Sequence, residues 1–244
     1  MPYSPRAPSD NHLLASLPPA ERARMIEHCE TVHLDLSACL CVPGERIEHI
    51  YFPLRHCFIS VIAAVDGKNR LEVGMIGNEG MLGIPLALGE SNSPLLAQVQ
   101  GSGPALRMSA GQFGPCLNQS PALQRCLRRY IHVLMTQLAQ SVACVRFHFV
   151  EARLARWLLM SHDRAHADEF HVTQLFLSHM LGVRRVGITN AAGSLQDKKL
   201  IRYHRGQLLI VDRSGLEAAA CSCYRIDRDT YRTVMGRSVP PPPN

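Results

Sequence analysis

Residues 178–200, SHMLGVRRVGITNAAGSLQDKKL, decide how the C-terminal third of this chain is read. Apolar residues recur here at helical spacing, yet Gly182 interrupts them and Arg184 and Arg185 follow almost at once. The preceding stretch, 169–181, offers Thr173 as an N-cap and predicts a helix burying Leu177 and Leu181. Gly182 can take the positive φ that ends a helix tightly. A second helix is predicted from Arg184 to about Leu195, with Ile188 and Ala191 on its inner face. Small Ser178, four residues before the glycine, leaves room for two helices to cross. Together these features predict a helix-turn-helix, with the arginines opening the helix that enters a DNA major groove. Gly187 and Gly193 fall inside that helix, each costing about 1 kcal/mol relative to alanine, for packing or for close approach to DNA.

Working outward, residues 198–212, KKLIRYHRGQLLIVD, read as two short strands around the turn HRG. Such a hairpin, or wing, would carry Arg202, His204 and Arg205 towards phosphates. Lys198 and Lys199 at the end of the second helix would do the same. The predicted DNA-binding set is Thr173, Gln174, Arg184, Arg185, Thr189, Asn190, Lys198, Lys199, Arg202, His204 and Arg205. Charge is distributed accordingly. Residues 1–169 hold 15 Lys+Arg against 15 Asp+Glu, whereas residues 170–244 hold 11 against 5. The net +6 therefore lies entirely in the last third, as expected of a basic module facing a polyanion.

Upstream the texture changes. Between residues 31 and 110, brief apolar runs such as HIYFPL and CFISVIAAV alternate with turn signals, among them PGE, DGK, GNEG and GSGP. This pattern predicts an antiparallel β sandwich or barrel, with DGK (66–68) as a hairpin turn. After NQSPAL a long helix is predicted. Leu127, Ile131, Leu134, Leu138, Ser141 and Val145 step by fours and threes along it, an a/d seam expected to pair two copies of the chain. The same pattern also fits a helix lying on its own domain. A second apolar helix is predicted over 149–163, with Asp163 and Asp168 placing His162 and His166 in an exposed loop.

The remaining signals exclude more than they assign. No apolar run reaches the length of a membrane span, the N-terminus does not read as a signal peptide, and a cytoplasmic location is expected. The nine cysteines lack paired C-x-x-C spacing. Cys39/Cys41 and Cys221/Cys223 are C-x-C pairs, a poor basis for a tetrahedral site alone. Reduced thiols serving as small apolar fillers are expected, with no metal and no cofactor. No histidine set has metal-ligand spacing on one element, and the serines near glycine form no G-x-S-x-G elbow. An enzyme with a β-sandwich domain is thus the weaker reading and no catalytic residues are assigned. A heme- or thiol-based sensor regulator is the other alternative.

The order of parts resembles the Crp/Fnr family of bacterial transcription regulators, across roughly residues 12–225. The resemblance rests on IEHIYFPLRHCFISVIAAVDG, IGNEGMLGIPLALG and the stretch from LSHMLGVRR to RSGLE. It implies an α+β fold. A disordered lead (1–11) would precede a cyclic-nucleotide-binding-like β-roll, jelly-roll-like in form (12–118). A dimerisation helix (119–147), a winged helix-turn-helix domain (148–225) and a tail (226–244) would follow. The function implied is sequence-specific DNA binding by a homodimer on a two-fold operator, with RNA polymerase as a further partner. The turn GNEGMLG resembles the start of the family's ligand cassette, which makes Gly77, Asn78, Glu79, Gly80, Met81, Leu82 and Gly83 the expected effector pocket. The family's cyclic-nucleotide binders place an arginine after this turn to pair with the phosphate. Here IPLALGESNSPLLAQVQ has no arginine or lysine, and its one charge is Glu90. Cyclic AMP is therefore not the expected effector; another effector or none is. The N-terminal cysteine cluster of iron–sulfur members is absent from residues 1–28. Arg185 falls where the family commonly reads a base, while Val186 and Asn190 stand where cyclic-nucleotide-responsive members carry a glutamate and a second arginine. The operator should differ accordingly.

Overall fold

The computed structural model of the chain describes residues 11–65 and 69–236. Two short helices, α1 (His12–Ala15) and α2 (Pro19–Glu27), lead into the strands. These are β1 (Glu30–Leu34), β2 (Cys39–Cys41), β3 (His49–Pro53), β4 (Phe58–Val65) and β5 (Asn69–Ile76). The one-turn helix α3 (Ile84–Ala87) separates them from β6 (Leu96–Gly101) and β7 (Gly103–Ser109). All pair antiparallel, in a sheet ordered β1-β7-β3 and another ordered β2-β6-β4-β5. Leu34, Tyr51, Ile59, Ile76 and Val99, drawn from both sheets, share one buried cluster. Short, largely apolar strands such as β3 and β4 bury against this cluster and build a two-layer roll. The predicted turn at 66–68 lies outside the described residues; the strands flanking it pair, Val65 opposite Asn69.

Asn11, assigned to the lead, is instead fully buried. Its side chain caps α1 by accepting the Leu14 N–H and donates to the carbonyls of Pro53 and Gly80. A helix is thereby nailed to the roll by one amide.

Helix α4 (Ala110–Asn118) is followed by α5 (Pro121–Phe147), which runs for about 40 Å. Ser120 caps α5 by accepting the Leu123 N–H, and Pro121 occupies the first turn, where its missing donor costs nothing. The face of α5 that lies on its own chain is Leu123, Leu127, Tyr130, Val133, Gln137, Ser141 and Cys144. Of the predicted seam, Leu127 and Ser141 therefore point inward, Ile131 and Leu134 are half-buried, and Leu138 and Val145 are exposed. The exposed apolar stripe is Met135, Leu138, Val142 and Val145, bordered by Ile131. An a/d count does not separate two apolar faces on one helix.

Two residues separate α5 from helix α6 (Val150–Ala165). It includes His162 and Asp163, so the expected loop begins later than predicted. His162 is largely covered and pairs with Asp168 at 2.7 Å. Then come β8 (Glu169–His171), α7 (Gln174–Met180), α8 (Arg185–Asp197), β9 (Ile201–His204), β10 (Gln207–Ile210), α9 (Arg213–Ala219) and α10 (Ser222–Met235). Residues 226–235, assigned to a tail, are thus the body of a helix. Helix α10 lies along α5 and ends where Arg129 donates to the Val234 carbonyl at 2.7 Å.

The two halves share a continuous core. Phe58 and Met75 of the roll pack in one cluster with Leu154, Trp157 and Leu158 of α6 and with Leu177 and Ile188 beyond. At this joint the Glu72 carboxylate accepts from the Ser60 hydroxyl. Burial pushes Glu72 up from its ordinary 4.5 to about 7, against the opposing pull of Ser60, Arg164 and Arg156. The folded state therefore holds this proton more tightly than the unfolded chain. The associated stability is complete below the unfolded value and is lost as pH rises through 7. Glu72→Gln removes the titration. Denaturant unfolding of the variant and the parent from pH 4 to 8 should show the variant gaining roughly 1–3 kcal/mol on the parent over that range.

Candidate nucleic-acid interface and ligand cavity

Thr173 caps α7, its hydroxyl accepting the Phe176 N–H at 3.1 Å. The helix ends at Gly182, whose φ is +61°. Gly182 N–H donates to the His179 carbonyl and Val183 N–H to the Ser178 carbonyl, the paired bonds of a Schellman ending. Arg153 of α6, itself buried, donates a further bond to the Leu181 carbonyl. The turn read in the sequence is therefore fixed by backbone, glycine and a buried guanidinium. Gly182 also faces the roll, since a Cβ there would stand 3.1 Å from the Leu71 side chain of β5.

Helix α8 starts at Arg185, with Arg184 as its extended N-cap residue. Ile188, Ala191, Ala192 and Leu195 are buried, which turns Arg185, Val186, Thr189 and Asn190 outward. Arg185/Thr189 and Val186/Asn190 are spaced four apart and form two adjacent rows on the exposed face. Thr189 is held in place: its hydroxyl donates to Gln174 Oε1 at 2.9 Å, tying the exposed rims of α7 and α8. Arg184 is exposed beside them.

The predicted hairpin is β9 paired with β10, and β8 adds a third strand in the order β8-β10-β9. Arg205 and Gly206 form its two-residue turn, both at positive φ (+48° and +85°), as right-twisted hairpins prefer. Arg202, His204 and Arg205 are exposed. Gln196 of α8 accepts the Tyr203 N–H at 2.6 Å, fixing the hairpin to the end of the helix. The two lysines part company. Lys198 pairs with Glu151 of α6, whereas Lys199 sits exposed at positive φ (+59°).

The turn expected to hold an effector divides into two parts. The Glu79 carboxylate accepts the Gly77 N–H at 3.1 Å and forms an ion pair with Arg164 of α6 at 2.6 Å. The Asn78 carbonyl accepts from His12, the Gly80 carbonyl from Asn11 and the Glu79 carbonyl from Tyr231 of α10. A Cβ on Gly80 would collide with the Tyr130 ring. Gly77–Gly80 is thus a structural junction, and Asn78 and Glu79 border a cavity of about 230 Å³ against α5, α6 and α10. Met81, Leu82 and Gly83 do line a different cavity, of about 320 Å³, between the roll and α5. Its other walls include Val61, Leu134 and Leu138, and Ser93 and Gln137 are the polar side chains among its lining residues. Among the described residues no charged side chain lines it, so none of them offers a charge to a phosphate.

Of the other histidines, His166 caps the end of α6 and packs edge-on against His56. A grouping not read from the sequence is that of Cys144, His148, Cys221 and Cys223, which converge at the joint of α5, α6 and α10. The signal available was Cys144 and His148 four apart on a helix end, with Cys221-x-Cys223 far downstream.

Residues 152–219 match the family model of the Crp-like helix-turn-helix domain. No curated protein matches the chain by sequence. Among solved structures it is similar to FixK2 from Bradyrhizobium japonicum, with TM-score 0.66, 12% identity and coverage of 79% of this chain and 98% of that one. It is also similar to the c-di-GMP responsive global regulator CLP from Xanthomonas campestris (TM-score 0.64, 15% identity, 78% and 98% covered). A CRP/FNR-family transcriptional regulator from Thermus thermophilus gives TM-score 0.62 at 18% identity, with 78% and 98% covered. The C-terminal module is a Crp-like helix-turn-helix domain, and the fold is that of Crp/Fnr regulators.

The glycines of the motif separate by substitution. Gly182→Ala forces alanine into left-handed backbone and should destabilise by about 1–2 kcal/mol. Gly193 is helical with open space around it, so Gly193→Ala should stabilise by about 0.5–1 kcal/mol. Urea unfolding of both variants reads the two signs; equal signs would contradict this account of the turn.

Proposed function

We propose that this chain, a Crp-like helix-turn-helix domain joined to a Crp/Fnr-type roll, is a sequence-specific DNA-binding transcription regulator that acts as a homodimer. The observation that carries the reading is the outward face of α8. Arg185, Thr189 and Asn190 stand there on a helix whose opposite side is buried, inside the last third of the sequence, where Lys+Arg exceed Asp+Glu by 11 to 5. Arg185 has the donors to meet guanine O6 and N7, and Asn190 the amide to meet adenine N6 and N7. Arg184, Lys199, Arg202, His204 and Arg205 are assigned to phosphates, which set affinity and register. Thr173 and Gln174, on the rim of α7, sit where the first helix of such a motif crosses the backbone. Lys198 contributes only if DNA displaces Glu151.

Dimerisation is assigned to the exposed stripe Met135, Leu138, Val142 and Val145 of α5. Met135 is 64% and Val142 70% exposed, and a second copy would cover them. Two α8 helices related by that axis would read half-sites about one DNA turn apart. The uncharged cavity lined by Met81 and Leu82 suits an apolar effector rather than cyclic AMP, and the regulator can equally act without one. A ligand there would act by population shift, since Leu134 and Leu138 of α5 line the same cavity. RNA polymerase is the further partner proposed, the compartment is the cytoplasm, and no catalytic role is assigned. No helix among the described residues is long and apolar enough to cross a membrane.

Two substitutions test the roles. On a duplex carrying the protein's site, Arg185→Ala should lose about 1–3 kcal/mol of discrimination at one base pair per half-site. Lys199→Ala should weaken binding evenly across sequences and reduce the salt slope by about one phosphate contact. Fluorescence anisotropy at several salt concentrations reads both. Identical behaviour of the two variants on every sequence would overturn the assignment.

A further inference from the structure

Four ligand atoms from two separate parts of the chain meet where the modules join. Cys144 lies in the last turn of α5, and His148 is that helix's C-cap, its N–H bonded to the Cys144 carbonyl. Cys221 is the N-cap of α10, and Cys223 lies in that helix's first turn. The three sulfurs and a His148 nitrogen all fall within 4.8 Å of one another. Cys144 Sγ is 3.5 Å from Cys221 Sγ, and Cys223 Sγ is 3.4 Å from His148 Nδ1. A tetrahedral zinc with bonds of about 2.0–2.3 Å needs ligand–ligand edges of about 3.5–3.8 Å. Two edges are already that short, and the others need to close by no more than about 1 Å.

Apolar filling does not account for the arrangement. All three thiols are buried, yet a histidine nitrogen is aimed at one of them, and Gln140 donates its amide N–H to Cys223 Sγ at 3.0 Å. An N–H donor to sulfur is the kind of outer contact that holds a metal-bound thiolate. Within the group, Cys144 Sγ and Cys221 Sγ are in hydrogen-bond contact as well. Cys57 shows the contrast: it is buried in an apolar cluster of the roll.

We propose that Cys144, His148, Cys221 and Cys223 bind one structural Zn²⁺ that pins the start of α10 to the end of α5. Three thiolates and an imidazole select a soft, tetrahedral d¹⁰ ion and leave no open position for chemistry. Binding expels the remaining thiol protons, and the resulting single negative charge lies beside Arg156. Because His148 is one of the two residues that link α5 to α6, the ion would fix the joint through which the helix-turn-helix module is placed relative to the roll.

The test is metal content of the full chain, purified reduced in zinc-containing buffer and dialysed against a weak chelator. One zinc per chain is expected, released when the thiols are blocked with a mercurial. Cys223→Ser and His148→Ala should lose it, Cys39→Ser should keep it, and His148→Cys should retain it with four sulfur ligands. Cobalt substituted for zinc should show sulfur-to-metal charge transfer and the visible bands of a tetrahedral ion. Stripping the metal should accelerate amide exchange through residues 222–235, a readout that does not depend on DNA. Trace metal only in the reduced protein, a Cys144–Cys221 disulfide in its place, or zinc retained by the Cys223→Ser and His148→Ala variants would overturn the proposal.

Discussion

The ion pair between Glu79 and Arg164 holds the two halves of this molecule in register. Glu79 sits in a tight turn of the roll, and Arg164 closes α6, the first helix of the DNA-binding module; both are largely withdrawn from water. Charges so placed persist only when their remaining bonding capacity is met. Here Gly77 donates to the carboxylate and the Met160 carbonyl accepts from the guanidinium. Around the pair, Tyr231 reaches the Glu79 carbonyl from α10, and Tyr130 of α5 packs on Gly80. Three helices thus converge on one turn. A shift of that turn cannot be local, because α5, α6 and α10 are each fastened to it.

Helix α10 extends this coupling. Along its length Tyr224 donates to Asp163, Asp227 pairs with Arg156 at 2.6 Å, and Tyr231 and Val234 reach the roll and α5. The helix works as a clasp across the joint rather than as an appendage of the winged module. The apolar cavity touches α5, and α5 in turn meets α10. Under the proposed function, a ligand in that cavity would act on α8 through these elements.

Much of this was legible in the sequence because it depends on local chemistry. Gly182 ends α7 through its own backbone freedom, Thr173 caps through its own hydroxyl, and the HRG turn sets its hairpin within ten residues. The residues that misled were those whose role depends on distant partners. Glu79 reads as a ligand-site acid until Arg164 is placed beside it. Lys198 reads as a phosphate contact until Glu151 engages it. Leu127 and Ser141 fit a heptad seam, yet the roll packs on Leu127 and Arg156 of α6 reaches Ser141, which leaves Met135, Leu138 and Val142 outside. Residues 226–235 read as tail because their partners, Arg156, the Glu79 carbonyl and Arg129, are all distant in sequence. The gathering of Cys144 and His148 with Cys221 and Cys223 needs a chain reversal that no spacing rule reports.

The central claim is that α8 reads DNA as one of a symmetric pair. Selection of duplexes from a random-sequence pool by the purified, ligand-free protein, at moderate salt, tests it most directly. The account predicts enrichment of a two-fold symmetric site with half-site centres about one helical turn apart. Recovery of no preferred sequence, either with the protein alone or after adding a cell extract to supply an effector, would contradict it.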